Sequence, residues 1–250
     1  MPQAIECGIL LRGYAKDEES VDSVATRLWE SARAAADVGL FRIGVLVPAD
    51  KDCGLTAARV RKMLTGRNGT VVFHPEGNEN SDVLNFGMGY LRDEHCSYGF
   101  IVSNKAVGYL SHANFEKTLV ALHKGAFVTG LAMRDTVPQE NDEVFIGTLA
   151  GRVVNTFAAW DVERLLDVNG FDSRIGCEEI APIIRGIRKY GKCVAPVIPV
   201  GQPVLNVSAL RMSRHEWVAS TKWQRQQQEA LRVGGSFDLI QQNLLPGYPK

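Results

Sequence analysis

Two adjacent carboxylates, Glu178 and Glu179, open a stretch of helical period that runs to Tyr190, and they are the side chains whose type and placement best suit chemistry. A helix N-terminus favours negative charge through its dipole. A carboxylate at a pocket mouth can also take the proton of an attacking hydroxyl. Other reactive residues lack company. The five histidines are scattered singly, and the five cysteines, Cys7, Cys53, Cys96, Cys177 and Cys193, form no C-x-x-C and no cluster at zinc spacing. Reduced thiols in a cytoplasmic setting are expected from that pattern. There is no G-x-x-x-x-G-K-[ST] phosphate loop, no G-x-S-x-G elbow and no G-x-G-x-x-G after the first strand.

The elements that must position Glu178 and Glu179 alternate in the order of a parallel sheet covered by helices. Strands are expected at Ile5 to Leu11, Phe41 to Val47, Thr70 to Phe73, Tyr98 to Val102 and Ala126 to Leu131. Between them lie helical stretches from Ser20 to Gly39, Thr56 to Leu64, Ser81 to Arg92 and Asn114 to His123. The Ser20 helix is typical: Val21, Val24, Leu28, Ala32 and Ala35 recur at steps of three and four, Ser20 can cap it, and Gly39 ends it. In an open α/β sheet, ligands gather at the carboxyl ends of the strands. The loops to watch are therefore Tyr14 to Glu18, Asp50 to Gly54, Glu76 to Asn80 and Ser103 to Lys105. The second half reads as a polar loop from Asp135 to Glu143, a short strand at Phe145 to Ala150, a helix from Asn155 to Leu166 and the Glu178 helix. Val194 to Val200, with Pro196 and Pro199, suits an edge strand, and Val207 to Leu231 is helical in period and polar in balance.

In this order of loops and motifs the chain resembles the GT-A nucleotide-sugar glycosyltransferases, family 2 in particular, from about Ile5 to Val200. The match rests on Gly170-Phe171-Asp172, then Gly176-Cys177-Glu178-Glu179 and Arg185, which looks like the G-F-D … G-x-E-D … R signature of that family. Thr156 to Arg164, with Trp160 and Asp161, resembles the acceptor-side segment that precedes it. Leu84-Asn85-Phe86-Gly87 keeps the Asn of an Arg-Asn-x-Gly motif and lacks its Arg. The resemblance implies a GT-A (Rossmann-like), mostly parallel sheet flanked by helices. It also implies a donor site at Tyr14, Lys16, Glu18, Asp50, Asp52, Asn85, Ser103, Asn104 and Lys105, and an acceptor side at Trp160, Asp161 and Arg185. Glu179, with Glu178 beside it, takes the position of the catalytic base, where the family usually has Asp.

One departure matters. After the fourth strand the family places D-x-D, which holds a divalent metal on the diphosphate, whereas this chain has Ser103-Asn104-Lys105. Hard cations such as Mn or Mg take carboxylate oxygens, so no metal ligand is assigned and Lys105 is the candidate cation in its place. The implied activity is an inverting, metal-independent transfer of a sugar from a nucleotide-diphosphate sugar to an unidentified acceptor. The competing reading is a non-catalytic nucleotide-sugar-binding or assembly module that keeps the fold. A nucleotidyltransferase is disfavoured, because the Gly-rich, Arg-containing loop of those enzymes is reduced to Arg12-Gly13.

Composition fits a small-molecule partner. Among 250 residues, 28 basic balance 28 acidic, without the positive excess of a dedicated nucleic-acid binder. The expected division is a transferase domain over 1–200 and a helical extension over 201–250. That extension is net positive and carries Trp217 and Trp223, so docking on the sheet domain, pairing with a second subunit and contact with an anionic membrane all stay open.

Overall fold

The computed structural model describes residues 7–13, 19–40, 42–48, 52–66, 69–73, 80–104, 106–132, 157–172, 178–194, 198–199, 221–243 and 245. Its centre is a seven-stranded sheet. The first strand, β1 (Cys7–Arg12), pairs in parallel with β2 (Arg42–Leu46) on one side and with β4 (Tyr98–Ser103) on the other. β3 (Thr70–Phe73) extends the sheet beyond β2. Past β4 come β6 (Phe157–Asp161), β5 (Val128–Ala132) and β7 (Ile198–Pro199), giving the order β3-β2-β1-β4-β6-β5-β7. β6 is antiparallel to both β4 and β5. The fold is the mostly parallel α/β sheet flanked by helices that the sequence led us to expect.

Side chains alternate between two cores, as a strand period of two requires. Ile9 and Leu11 of β1 face a core shared with Phe100, Val102, Phe157 and Ala159, covered by α1 (Val21–Asp37), α2 (Cys53–Met63) and α4 (His112–His123). Leu10, Ile101, Ala158 and Trp160 face the other core, covered by α3 (Asn80–Asp93), α5 (Val162–Asp167) and α6 (Ile180–Tyr190). Helix α1 forms as its spacing predicts: the Ser20 hydroxyl accepts from the Ser23 amide at 3.2 Å, Val24, Leu28, Ala32 and Ala35 are buried, and Gly39 turns the chain at φ +89°. Strands β1 and β4 are buried on both faces because helices cover both, which is why their sequences are unbroken apolar runs.

One expected element is overturned. Asn155 to Leu166 was expected to be one helix, but Phe157–Asp161 is strand β6 and the helix begins only at Val162. Ala158, Ala159 and Trp160 favour a helix locally, yet here they fill the slot between β4 and β5 with no exposed surface. The expected strand at Phe145 to Ala150 and most of the Val207 to Leu231 helix lie outside the described residues.

The described part of the C-terminal segment, α7 (Thr221–Arg232) and α8 (Phe237–Gln242), sits on α6. Ala230 and Ile240 join the core beneath α6. Glu229 has no exposed surface and accepts from Arg232 through both oxygens, at 2.7 and 3.0 Å. Arg232 in turn reaches Asp172 Oδ2 at 2.9 Å and donates to the Asp172 carbonyl. Those carboxylates, Glu229 first, hold the Arg232 guanidinium above its ordinary range. Arg232 is partly exposed, but its removal strands the buried charge of Glu229. Arg232→Ala is expected to destabilise the protein by roughly 3 kcal/mol, read as a lower urea midpoint, and Glu229→Gln placed in the Arg232→Ala background should recover part of that loss.

Candidate functional site

The chain leaves β1 for β2 and β3 on one side of the sheet, then crosses back to β4 on β1's other side. The carboxyl ends of β1 and β4 are therefore the topological switch point, the place where an open α/β sheet leaves a crevice for a ligand. Arg12 ends β1 and lies opposite Ser103, which ends β4. The Asn104 amide donates to the Arg12 carbonyl at 3.0 Å. Gly13 then steps out of the sheet: a Cβ there would stand 2.8 Å from Pro48 Cδ and 2.9 Å from the Leu46 carbonyl, so only glycine fits.

Arg12 follows Leu10 by two positions and so projects to the face covered by α3, α5 and α6. There its Nη1 donates to Glu178 Oε1 in an ion pair between nearly buried side chains. This pair ties the residues just ahead of α6 to the switch point. Glu179, 7% exposed, is the N-cap residue of α6, and its side chain makes no capping bond to that helix. The structure thus brings Glu178, Ser103 and Asn104 against Arg12, with Glu179 next in the chain after Glu178. Asp52 stands at the start of α2, the helix that follows β2. Tyr14, Lys16, Glu18, Asp50 and Lys105 lie outside the described residues.

Arg12 itself was not among the residues singled out from the sequence. The signal was present: a lone cation closes the apolar run Ile9-Leu10-Leu11, where a doubly covered strand has no place for a charge unless a partner meets it.

Other expected site residues turn out to support loops or to lie elsewhere. Asn85, on α3, uses its amide on the backbone of Phe171, donating to the carbonyl at 2.8 Å and accepting from the amide at 2.7 Å. Arg185, on α6, donates to the Gly170 carbonyl at 2.5 Å and lies 3.6 Å from Asp172 Oδ2. Burial lowers the Arg185 pKa and Asp172 opposes that shift. Trp160 and Asp161 call for correction as acceptor-side groups. Because β6 runs antiparallel, Asp161 pairs with Tyr98, the first residue of β4, at the sheet edge opposite Arg12 and Ser103. Asp161 caps α5 by accepting from the Arg164 amide at 3.0 Å, and burial raises its pKa against the pull of that bond and of Arg164. Trp160 has no exposed surface and packs edge-on against Phe127 and Phe171.

The donor set at the end of β4 does not suit a hard divalent cation. Ser103 and Asn104 offer neutral oxygens, and among the described residues no group of three or more His, Cys, Asp or Glu side chains is gathered as a metal site. No helix among the described residues is long and apolar enough to cross a membrane.

The Gly170–Asp172 turn leads toward Glu178, so its fixation matters for the site. Asn169 and Gly170 both take positive φ, at +65° and +58°, and a Cβ on Gly170 would lie 2.2 Å from Asn85 Oδ1. Asn85→Ala leaves the buried Phe171 amide and carbonyl without this partner, at an expected cost of about 1–3 kcal/mol. Hydrogen exchange at the Phe171 amide should accelerate in that variant while exchange in β1 and β4 stays slow.

No family model matches the sequence, and no curated protein matches it significantly. Among solved structures, the chain is similar to a mannosyltransferase from Pyrobaculum calidifontis in complex with GDP-mannose and Mn2+, with TM-score 0.59 and 12% identity, covering 95% of this chain and 67% of that one. A 4-diphosphocytidyl-2C-methyl-D-erythritol synthase from Anaerococcus prevotii aligns at TM-score 0.45 and 12% identity over 65% of this chain and 74% of that one. A protein from Desulfovibrio desulfuricans, assigned as a nucleotide-diphospho-sugar transferase, aligns at 0.41 and 14% over 96% and 99%. The weight rests on the first, whose likeness extends over nearly all of this chain. The fold is GT-A-like, the α/β architecture of nucleotide-sugar transferases.

Proposed function

We propose that this protein transfers a sugar from a nucleotide-diphosphate sugar to an acceptor hydroxyl at the carboxyl ends of β1 and β4. The observation that carries this reading is the Arg12–Glu178 pair, which sets Glu178 at the switch point of a GT-A-like sheet, and Glu179 follows it in the chain. Glu179 is the base. As the acceptor oxygen attacks the anomeric carbon, its proton passes to Glu179, the new C–O bond forms, and the bond from that carbon to the diphosphate breaks with inversion. The leaving diphosphate carries growing negative charge, which cations must meet in a site without a carboxylate-held metal. Lys105, next after Asn104 in the chain, is one such cation, and the reaction runs without Mn or Mg.

A second reading has an observation of its own. Ser103 and Asn104 stand where a metal-dependent transferase would place carboxylates, so a protein that binds the nucleotide sugar without turning it over also fits. One variant separates the two. Under the first reading, Glu179→Gln lowers kcat by about a hundredfold or more, with donor affinity unchanged by calorimetry and with equal wild-type rates in EDTA and in Mn2+. Measurable nucleotide-sugar affinity with no turnover across a panel of hydroxyl acceptors would favour the binding module. Absence of affinity for any nucleotide sugar, with or without Mn2+, would reject both.

A further inference from the structure

Resting on that reading, we propose that Arg12 binds the diphosphate of the donor and that Glu178 competes with the ligand for it, so that the ion pair at the switch point is an exchangeable latch. Placement comes first. Arg12 closes the central strand β1 beside the end of β4, so its guanidinium sits where the crevice of a doubly wound sheet opens. The pair is desolvated, with side chains 13% and 7% exposed. Buried ion pairs are poor devices for stability alone, since apolar residues of similar volume usually serve as well or better. A cation held at this edge by a neighbouring acid invites a different account.

The chemistry supplies it. Guanidinium is a planar fork of donors that suits phosphate as well as carboxylate, so the partners of Arg12 are interchangeable in kind. A diphosphate brings more negative charge to that fork than one carboxylate does. On the β4 side, Ser103 and Asn104 are neutral where carboxylates would repel an anion or require a metal between. Glu178 directly precedes Glu179 in the chain, so exchange at Arg12 also reports donor occupancy to the residue proposed as base.

The competition predicts an unusual sign. Removing an acid from a purely structural pair should weaken ligand binding or leave it alone, whereas here Glu178→Gln should tighten it. Calorimetry in EDTA would use GDP, UDP, CDP and ADP, their nucleosides, and inorganic pyrophosphate as probes. The expected result is that Glu178→Gln binds diphosphates about tenfold more tightly, with nucleoside affinity unmoved. Arg12→Gln alone leaves Glu178 buried beside a neutral side chain and can fail to fold, so the double variant Arg12→Gln/Glu178→Gln is measured as well. It should bind diphosphates at least about tenfold more weakly than Glu178→Gln, and Arg12→Lys/Glu178→Gln should restore part of the loss. If wild type binds nucleoside diphosphates but Glu178→Gln does not tighten them, or the double variant matches Glu178→Gln, the latch is wrong and the transferase reading stands. If wild type binds no nucleoside diphosphate, with or without Mn2+, the reading and the latch fall together.

Discussion

The contact between Arg12 and Glu178 joins two parts of the chain that nothing else in the sequence places side by side. Arg12 belongs to the central strand, fixed between β2 and β4 by parallel ladders; Glu178 belongs to the segment entering α6, separated from it by most of the fold. The apolar packing of Ile180, Ile183, Ile184 and Ile187 fixes the face of α6 and leaves its position along the axis less constrained. A directional charge-assisted bond supplies the missing coordinate. With the pair closed, the start of α6 is held by that bond and by the apolar face of the helix behind it.

The same segment is anchored at its other end by a different set of groups. Asn85 from α3 holds Phe171, Arg185 from α6 holds Gly170, and Arg232 from α7 holds Asp172. Asp172 and Glu178 are thus each anchored by charged side chains from separate elements. Anchors of this kind are costly to leave unpaired. The buried Glu229 shows how far the arrangement goes, because it orients Arg232 from a position with no access to water. The C-terminal helix is in this sense part of the framework around the turn.

Much of the sheet was legible because of what covers it. β1 and β4 are buried on both faces, so they appear as unbroken apolar runs, and α1 announces itself through its Ser20 cap and a stripe of apolar residues. Strand β6 was not legible. Its Ala-Ala-Trp stretch has the local preference of a helix, and only the vacancy between β4 and β5, a property of the tertiary fold, makes it a strand. The direction of β6 was equally hidden, and it decides the fate of two expected site residues. A strand that runs against its neighbours delivers its last residues to the opposite edge, so Asp161 became a helix cap there and Trp160 a core side chain. Motif order along a chain carries no record of strand direction.

Charge shows the complementary lesson. Glu178 and Glu179 could be picked out because paired acids at a helix start are conspicuous, while Arg12 drew attention only as a remnant of another loop type. Yet a cation at the end of a doubly covered strand has few physical justifications. Burial of an unpaired guanidinium is prohibitive, so its presence demands an acid partner. Here that acid comes from an element crossing the carboxyl edge of the sheet. Glu178, at the head of a strongly amphipathic helix, supplies it. The partnership follows from the cost of a buried charge taken together with the topology, and from neither alone.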